Sequence, residues 1–98
     1  MPEVPPFLKP LEQTDPAFLE QVLQVMQMTN APGALDAKTK TLMSLLGDAI
    51  LGHAEGCASL GQRARREGAS KAEIQETLRM AYQMGGLPAL ITALSACR

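Results

Sequence analysis

The chain has 98 residues, of which 46% are hydrophobic and only 3% are aromatic. A single domain of this size has a small core, and a core built from Leu, Ala, Met, Val and Ile favours an all-α fold. Nine basic and ten acidic residues give a formal net charge of -1, which excludes the strongly basic surface typical of nucleic-acid or anionic-membrane partners.

The amino-terminal segment is rich in proline, at positions 2, 5, 6 and 10. Because proline cannot donate a backbone hydrogen bond, residues 1–14 are predicted to form an extended arm, followed by a single helical domain over residues 15–98. The arm has neither the basic start nor the apolar stretch of a secretion signal, and no later run approaches the ~20 apolar residues of a membrane span. A cytoplasmic protein without a membrane partner is expected, with Cys57 and Cys97 as free thiols.

Capping signals predict about five short helices in the rest of the chain. A capping side chain accepts a free backbone amide of the first helical turn, and proline is favoured at the first helical position. The predicted helices begin at Asp15-Pro16, Asp36, about Ala54, the capping box Ser70-Lys71-Ala72-Glu73, and Pro88. Glycine marks their ends at Gly33, Gly52, Gly68 and Gly85-Gly86.

The second predicted helix is apolar around most of its circumference. Its apolar residues are Leu42, Met43, Leu45, Leu46, Ala49, Ile50 and Leu51. A helix with such wide apolar coverage needs partners on more than one side, and five short helices cannot enclose it. We therefore expect a stable homo-oligomer.

Three stretches, taken together and in this order, resemble the carboxymuconolactone decarboxylase and alkylhydroperoxidase-D-like family. They are PGALDAKTK at residues 32–40, GASKAEI at residues 68–74 and GGLPA at residues 85–89. The resemblance covers residues 16–97. It implies an all-α, alkylhydroperoxidase-D-like fold of helical hairpins that assembles as trimers or hexamers. It also implies one of two activities, disulfide peroxidase or small-ring decarboxylase.

The resemblance to the peroxidase branch implies positions for a glutamate, for the two cysteines of a Cys-x-x-Cys pair, and for a histidine. Those positions hold, in the same order, Thr41, His53, Gly56 and Leu60. A shift of one residue places Cys57 at the second cysteine, but Ala54 and Gly61 then stand at the first cysteine and the histidine. Because a peroxide-reducing thiolate needs a second thiol to resolve its sulfenic acid, Cys57 alone is not expected to sustain this cycle.

The decarboxylase branch has no cysteine pair and combines a carboxylate with a histidine. Glu55 matches the carboxylate, whereas Leu60 again stands at the histidine position. His53 lies close by in sequence and could take over the proton-transfer role from a slightly different place.

Four side chains are predicted to converge where the second helix meets the third, namely Asp48, His53, Glu55 and Cys57. One interpretation is a general acid–base site in which Asp48 orients His53, and another is a three-ligand metal site. The structural alternative is that His53 caps a helix, Glu55 complements the helix dipole and Cys57 fills the core. Further along, Arg63, Arg65 and Arg66 are most simply a solvated helix face.

These residues lead to three functional hypotheses. The first is a redox-inactive, oligomeric module that binds a small molecule or serves in assembly. The second is a decarboxylase-type acid–base enzyme that uses Glu55, His53 and Asp48. The third is an alkylhydroperoxidase-like antioxidant activity through Cys57. No cofactor is predicted for any of the three.

Overall fold

A computed structural model describes residues 3–98 and contains five α-helices and two short 3-10 helices. The α-helices are α1 Leu11–Thr14, α2 Pro16–Asn30, α3 Ala37–Leu51, α4 Ala54–Arg66 and α5 Lys71–Ala93. The 3-10 helices are Pro6–Leu8 and Leu94–Cys97. No strand occurs among these residues, which confirms the predicted all-α class. None of the helices described is long and apolar enough to cross a membrane.

The chain divides into two compact units, Met1–Gly33 and Ala34–Arg98. This division differs from the predicted boundary after residue 14, because α2 belongs to the first unit. Residues 1 and 2 of the predicted arm lie outside the described residues. Each unit has its own local organisation.

The first unit corrects the prediction of an extended arm. Pro6 begins a 3-10 helix and Pro10 is the N-cap of α1, so both prolines occupy positions at a helix start. There the missing N–H has no helical partner to lose, and the fixed φ of proline suits the first turn. As predicted, α2 begins at Asp15-Pro16, with the Asp15 carboxylate accepting a hydrogen bond from the Phe18 amide at 3.1 Å.

The second unit contains α3, α4 and α5 packed around one core. Leu45 of α3 and Cys57 of α4 are fully buried and are its largest completely enclosed side chains. The other buried members of this core are Ala49, Ile74, Leu78, Ala81, Ala89, Ala93 and Ala96. Most of them are alanines, so the helices approach one another closely.

The ends of α3 and α4 follow the predicted capping signals. Asp36 accepts a hydrogen bond from the Thr39 amide at 2.8 Å. A hydrogen bond from the Thr39 side chain, followed by this amide, holds the pKa of Asp36 below its usual range. The helix α3 ends at Gly52 in the left-handed conformation with φ 83°. Glycine adopts that conformation without the steric cost that a Cβ would add. The turn at Gly52 directs the chain straight into α4.

The last helices form one element with a break inside it. The capping box is present, since Ser70 accepts from the Glu73 amide at 3.0 Å and Glu73 accepts from the Ser70 amide at 2.8 Å. The predicted break at Gly85-Gly86 falls at Gly86, whose φ of 75° and ψ of -165° interrupt the helical conformation. Helical structure resumes immediately afterwards, with Pro88 in its first turn.

Candidate functional site

The structure brings Asp48 and His53 together at the junction of α3 and α4. Asp48 lies in the last turn of α3 and His53 is the N-cap residue of α4. His53 Nδ1 and Asp48 Oδ1 are 3.2 Å apart, and the His53 amide donates to the Asp48 backbone carbonyl at 2.8 Å. The left-handed Gly52 reverses the chain between them, so the two side chains meet across a single turn.

The hydrogen bond determines which nitrogen of His53 remains available. An ionised carboxylate has no proton to donate, so Nδ1 must carry the proton when the ring bonds to Asp48. In the neutral ring, Nε2 is then the acceptor. Since 60% of the His53 side chain is exposed, a ligand can reach the ring. The Asp48 side chain is 28% exposed and lies deeper in the junction.

Gly56 is the residue that makes room for the Asp48 carboxylate. A Cβ atom at position 56 would collide with Asp48 Oδ2 and Cγ. The resemblance to the peroxidase branch implies the second cysteine at position 56. A side chain there would compete with Asp48 for the same space, so glycine at position 56 and the placement of Asp48 are sterically linked.

Cys57 adjoins this junction but faces the core. Its side chain is completely buried, and Sγ lies 3.8 Å from the Leu45 carbonyl oxygen. Burial raises the pKa of the Cys57 thiol, and the negative charge of Asp48 raises it further. Both effects disfavour the thiolate, which is the nucleophilic form of cysteine. The predicted convergence of Cys57 with His53 on one accessible face is therefore corrected.

Glu55 points away from the Asp48–His53 pair. Its side chain is 90% exposed and bonds to Arg98, with Oε1 and Nη1 3.2 Å apart. The predicted convergence of Glu55 on the site is not present, because α4 turns this position outward. No three His, Cys, Asp or Glu side chains within residues 3–98 are arranged to hold a metal ion, so the metal-site alternative lacks a ligand set there.

Thr41, which stands where the resemblance implies a glutamate, has a structural role in this chain. Thr41 is buried, and its hydroxyl donates to Glu67 Oε1. Glu67 follows α4 and also bonds to Arg63 through Oε2 at 3.4 Å. This connection between α3 and the end of α4 was not predicted, because the two residues lie 26 positions apart. No local pattern indicates such a contact.

The residues described form an all-α domain in which Asp48 and His53 meet at a helix junction, and the sequence contains no Cys-x-x-Cys pair. The profile of the carboxymuconolactone decarboxylase family matches residues 16–98. A crystal structure of an apo carboxymuconolactone decarboxylase family protein from Legionella pneumophila is similar, with a TM-score of 0.81 and 29% identity. The match covers 91% of this chain and 80% of that chain. Comparison with curated proteins found no match. The chain belongs to the carboxymuconolactone decarboxylase family.

Proposed function

We infer that this protein is a redox-inactive member of its family that assembles as a homo-oligomer and binds a small molecule beside Asp48 and His53. The burial of Cys57 is the observation that carries the inference of redox inactivity. Its thiol is enclosed in the core, its pKa is raised, and Cys97 is exposed and lies in a different element. A peroxidase cycle needs an accessible thiolate, and the buried thiol of Cys57 does not supply one.

Redox inactivity is tested by measuring the turnover of an organic hydroperoxide with a dithiol reductant. We expect no turnover above the reagent background in the wild-type protein and the same result for Cys57→Ser. Turnover by the wild-type protein that Cys57→Ser abolishes would support the third hypothesis, an antioxidant activity through Cys57. Cys97→Ser is the matched control, because it removes the exposed thiol and leaves the core unchanged.

Assembly is supported by an apolar surface formed by α5 after its break and by the first residue of the 3-10 helix that follows it. Leu87, Ile91 and Leu94 are each more than half exposed and follow the spacing of four and three residues that places them on one side of a helix. We call these three residues the apolar stripe. Residues 80–97 contain no charged side chain, so two copies of this surface can approach without like-charge repulsion. A second copy of the chain is therefore the partner that fits.

The test of assembly is light scattering at micromolar concentration. We expect the mass of an oligomer for the wild-type protein and a lower mass for Ile91→Glu, which places a charge in the apolar stripe. Gln62→Glu adds the same charge to an exposed position of α4, outside residues 80–97, and should leave the mass unchanged. A monomeric wild-type protein, or equal effects of both substitutions, would contradict the proposal.

The Asp48–His53 hydrogen bond favours a second candidate function, general acid–base catalysis. His53 Nε2 would accept or return a proton, and Asp48 would orient the ring through Nδ1. Glu55, which bonds to Arg98, has no part in this version of the mechanism.

NMR of the His53 ring nitrogens should show the proton on Nδ1 in the neutral ring of the wild-type protein. Asp48→Ala should lose that preference, and an unchanged tautomer would remove the basis for both ligand binding and catalysis at this pair.

A further inference from the structure

A concave site lies in the Ala34–Arg98 unit and shares no residue with the Asp48–His53 pair. It is a pocket of about 440 Å³ between the end of α4, the first turns of α5 and the end of the chain. Arg65, Lys71, Ile74, Gln75, Cys97 and Arg98 line it. Its volume falls within the range of about 300–1,000 Å³ that is typical of small-molecule sites.

The charged side chains that line the pocket are all cationic, namely Arg65, Lys71 and Arg98. Arg65 is held in place, since its guanidinium donates to the carbonyl oxygens of Ala96 at 2.8 Å and Arg98 at 2.9 Å. Arg98 bonds to Glu55 and to the Ser95 hydroxyl. Cationic groups at the rim of a concave surface raise the local concentration of anions.

Lys71 is the lining cation whose charge is not paired with another described residue. Its ammonium group forms no ion pair and no hydrogen bond with any residue between 3 and 98. The charge of Lys71 is therefore available to pair with an anionic group of a ligand in the pocket.

The uncharged residues that line the pocket favour a ligand that also has an apolar part. Ile74 is buried beneath the pocket, and the thiol of Cys97 is exposed at its side. We propose that the pocket binds a small organic carboxylate whose charged end pairs with Lys71 and whose apolar part lies over Ile74 and beside Cys97. An anion without an apolar part would leave that surface uncovered, and a neutral apolar molecule would leave Lys71 unpaired.

The exposed thiol of Cys97 allows a direct test on the intact protein. Dithiobis(nitrobenzoate) carries a carboxylate on each aromatic ring, whereas dithiodipyridine is an uncharged aromatic disulfide. In both reactions the Cys97 thiolate attacks one sulfur, the disulfide breaks, an aromatic thiolate leaves, and the cysteine's proton goes to solvent. Buried Cys57 is not expected to compete, and peptide mapping identifies the labelled residue.

The measured quantity is the ratio of the two rates, anionic reagent over neutral reagent. Lys71→Gln should lower this ratio by about three- to tenfold, because it removes the charge that attracts the carboxylate and leaves the thiol unchanged. Arg79→Gln is the matched control, since it removes a positive charge from the same helix outside the pocket and should change the ratio by less than about twofold. Added salt should lower the wild-type ratio toward the Lys71→Gln value.

Equal effects of the two substitutions would overturn the proposal, as would failure of Cys97 to react with either reagent. Non-covalent binding supplies an independent measurement on the wild-type protein. Hexanoate should shift the amide NMR signals of Ile74, Gln75 and Cys97, whereas hexanol should shift them much less. Inorganic phosphate that produces the same shifts as hexanoate would identify a general anion site, and the specificity for a carboxylate on an apolar body would then be wrong.

Discussion

At the scale of single residues, glycine decides where the helices of the second unit can approach one another. Asp48 reaches His53 because Gly56 leaves its carboxylate room, and Leu94–Cys97 approaches α4 because Gly61 has no side chain. The two positions differ in what a methyl group would meet. At Gly56 it would meet the end of the Asp48 side chain, which can rotate away, whereas at Gly61 it would meet the backbone of Ala96.

Three Gly→Ala substitutions separate these effects. Gly47→Ala lies in the interior of α3 with open space around it and should raise the free energy of unfolding by roughly 0.5–1 kcal/mol. Gly61→Ala should lower it by roughly 1–3 kcal/mol, because the backbone at Ala96 has to move. Urea unfolding measures both values. A stabilising Gly61→Ala would show that Leu94–Cys97 is not packed against α4.

Gly56→Ala should change the site more than the stability. The added methyl group displaces the Asp48 carboxylate, so His53 should lose the preference for the proton on Nδ1 while the helical circular dichroism stays unchanged. Gly47→Ala is the control for this measurement as well. If the His53 tautomer is the same in Gly56→Ala as in the wild-type protein, Asp48 does not hold the ring in solution.

The sequence could predict part of this site from local rules alone. Asp48 and His53 stand five residues apart across a glycine that ends a helix, so their proximity follows from chain connectivity. The direction of Glu55 and the burial of Cys57 depend on how α4 rotates against α3. Contacts between α3 and the end of α4, such as the Thr41–Glu67 hydrogen bond, join residues that are far apart in sequence and have no local signature.

At the scale of elements, α3 and α5 are connected at their first turns by an ion pair. Lys38 Nζ and Glu73 Oε2 are 2.9 Å apart, and Glu73 also accepts the Ser70 amide in the capping box. The hydrogen bond from Lys38 is the main cause that lowers the pKa of Glu73, followed by the bond from Ser70. The same pair raises the pKa of Lys38.

These shifts predict how stability depends on pH. A carboxylate with a lowered pKa in the folded state stabilises the fold above its ordinary pKa, and this contribution is lost as pH falls through the lowered value. Glu73→Gln keeps a capping side chain and removes the charge, so it should lower Tm by about 1–4 °C at neutral pH. The difference from wild type should disappear at a pH below the folded pKa of Glu73.

The control for this prediction is Glu76→Gln on the same helix. Glu76 is exposed and forms no ion pair within residues 3–98, so its Tm should match the wild type at neutral pH. High salt should reduce the effect of Glu73→Gln, because both partners of the ion pair are partly exposed. An equal Tm change for both variants would mean that net charge, and not the Lys38–Glu73 pair, is responsible.

The helix boundaries were the most predictable part of the fold because their signals are local. Asp15, Asp36 and the Ser70–Glu73 box each accept backbone amides within three residues, and each begins a helix where expected. The amino-terminal arm was predicted less well. Its prolines exclude the interior of a helix but suit its first turn, so they are compatible with the short helices found at Pro6–Leu8 and Leu11–Thr14.

At the scale of the whole molecule, the two units differ in how much core each contains. Every residue of the continuous core lies between Leu45 and Ala96, within the Ala34–Arg98 unit. In the Met1–Gly33 unit the buried side chains are Leu19 and Leu23 of α2. The second unit also carries its own helix caps at Asp36 and Ser70 and the Lys38–Glu73 pair. Its stability should therefore depend mainly on residues that it contains.

This distribution predicts that a fragment of residues 34–98 folds by itself. It should show helical circular dichroism, a cooperative thermal transition and the His53 tautomer of the full chain, because the core and the Asp48–His53 pair are intact. Its Tm should be lower than that of the full chain, since a domain of this size buries a smaller fraction of its surface. A second fragment, residues 37–98, lacks the Asp36 cap and should lose about 1 kcal/mol relative to the first. If the fragment of residues 34–98 is unfolded at every concentration, the core between Leu45 and Ala96 is not sufficient, and α2 is an essential part of the fold.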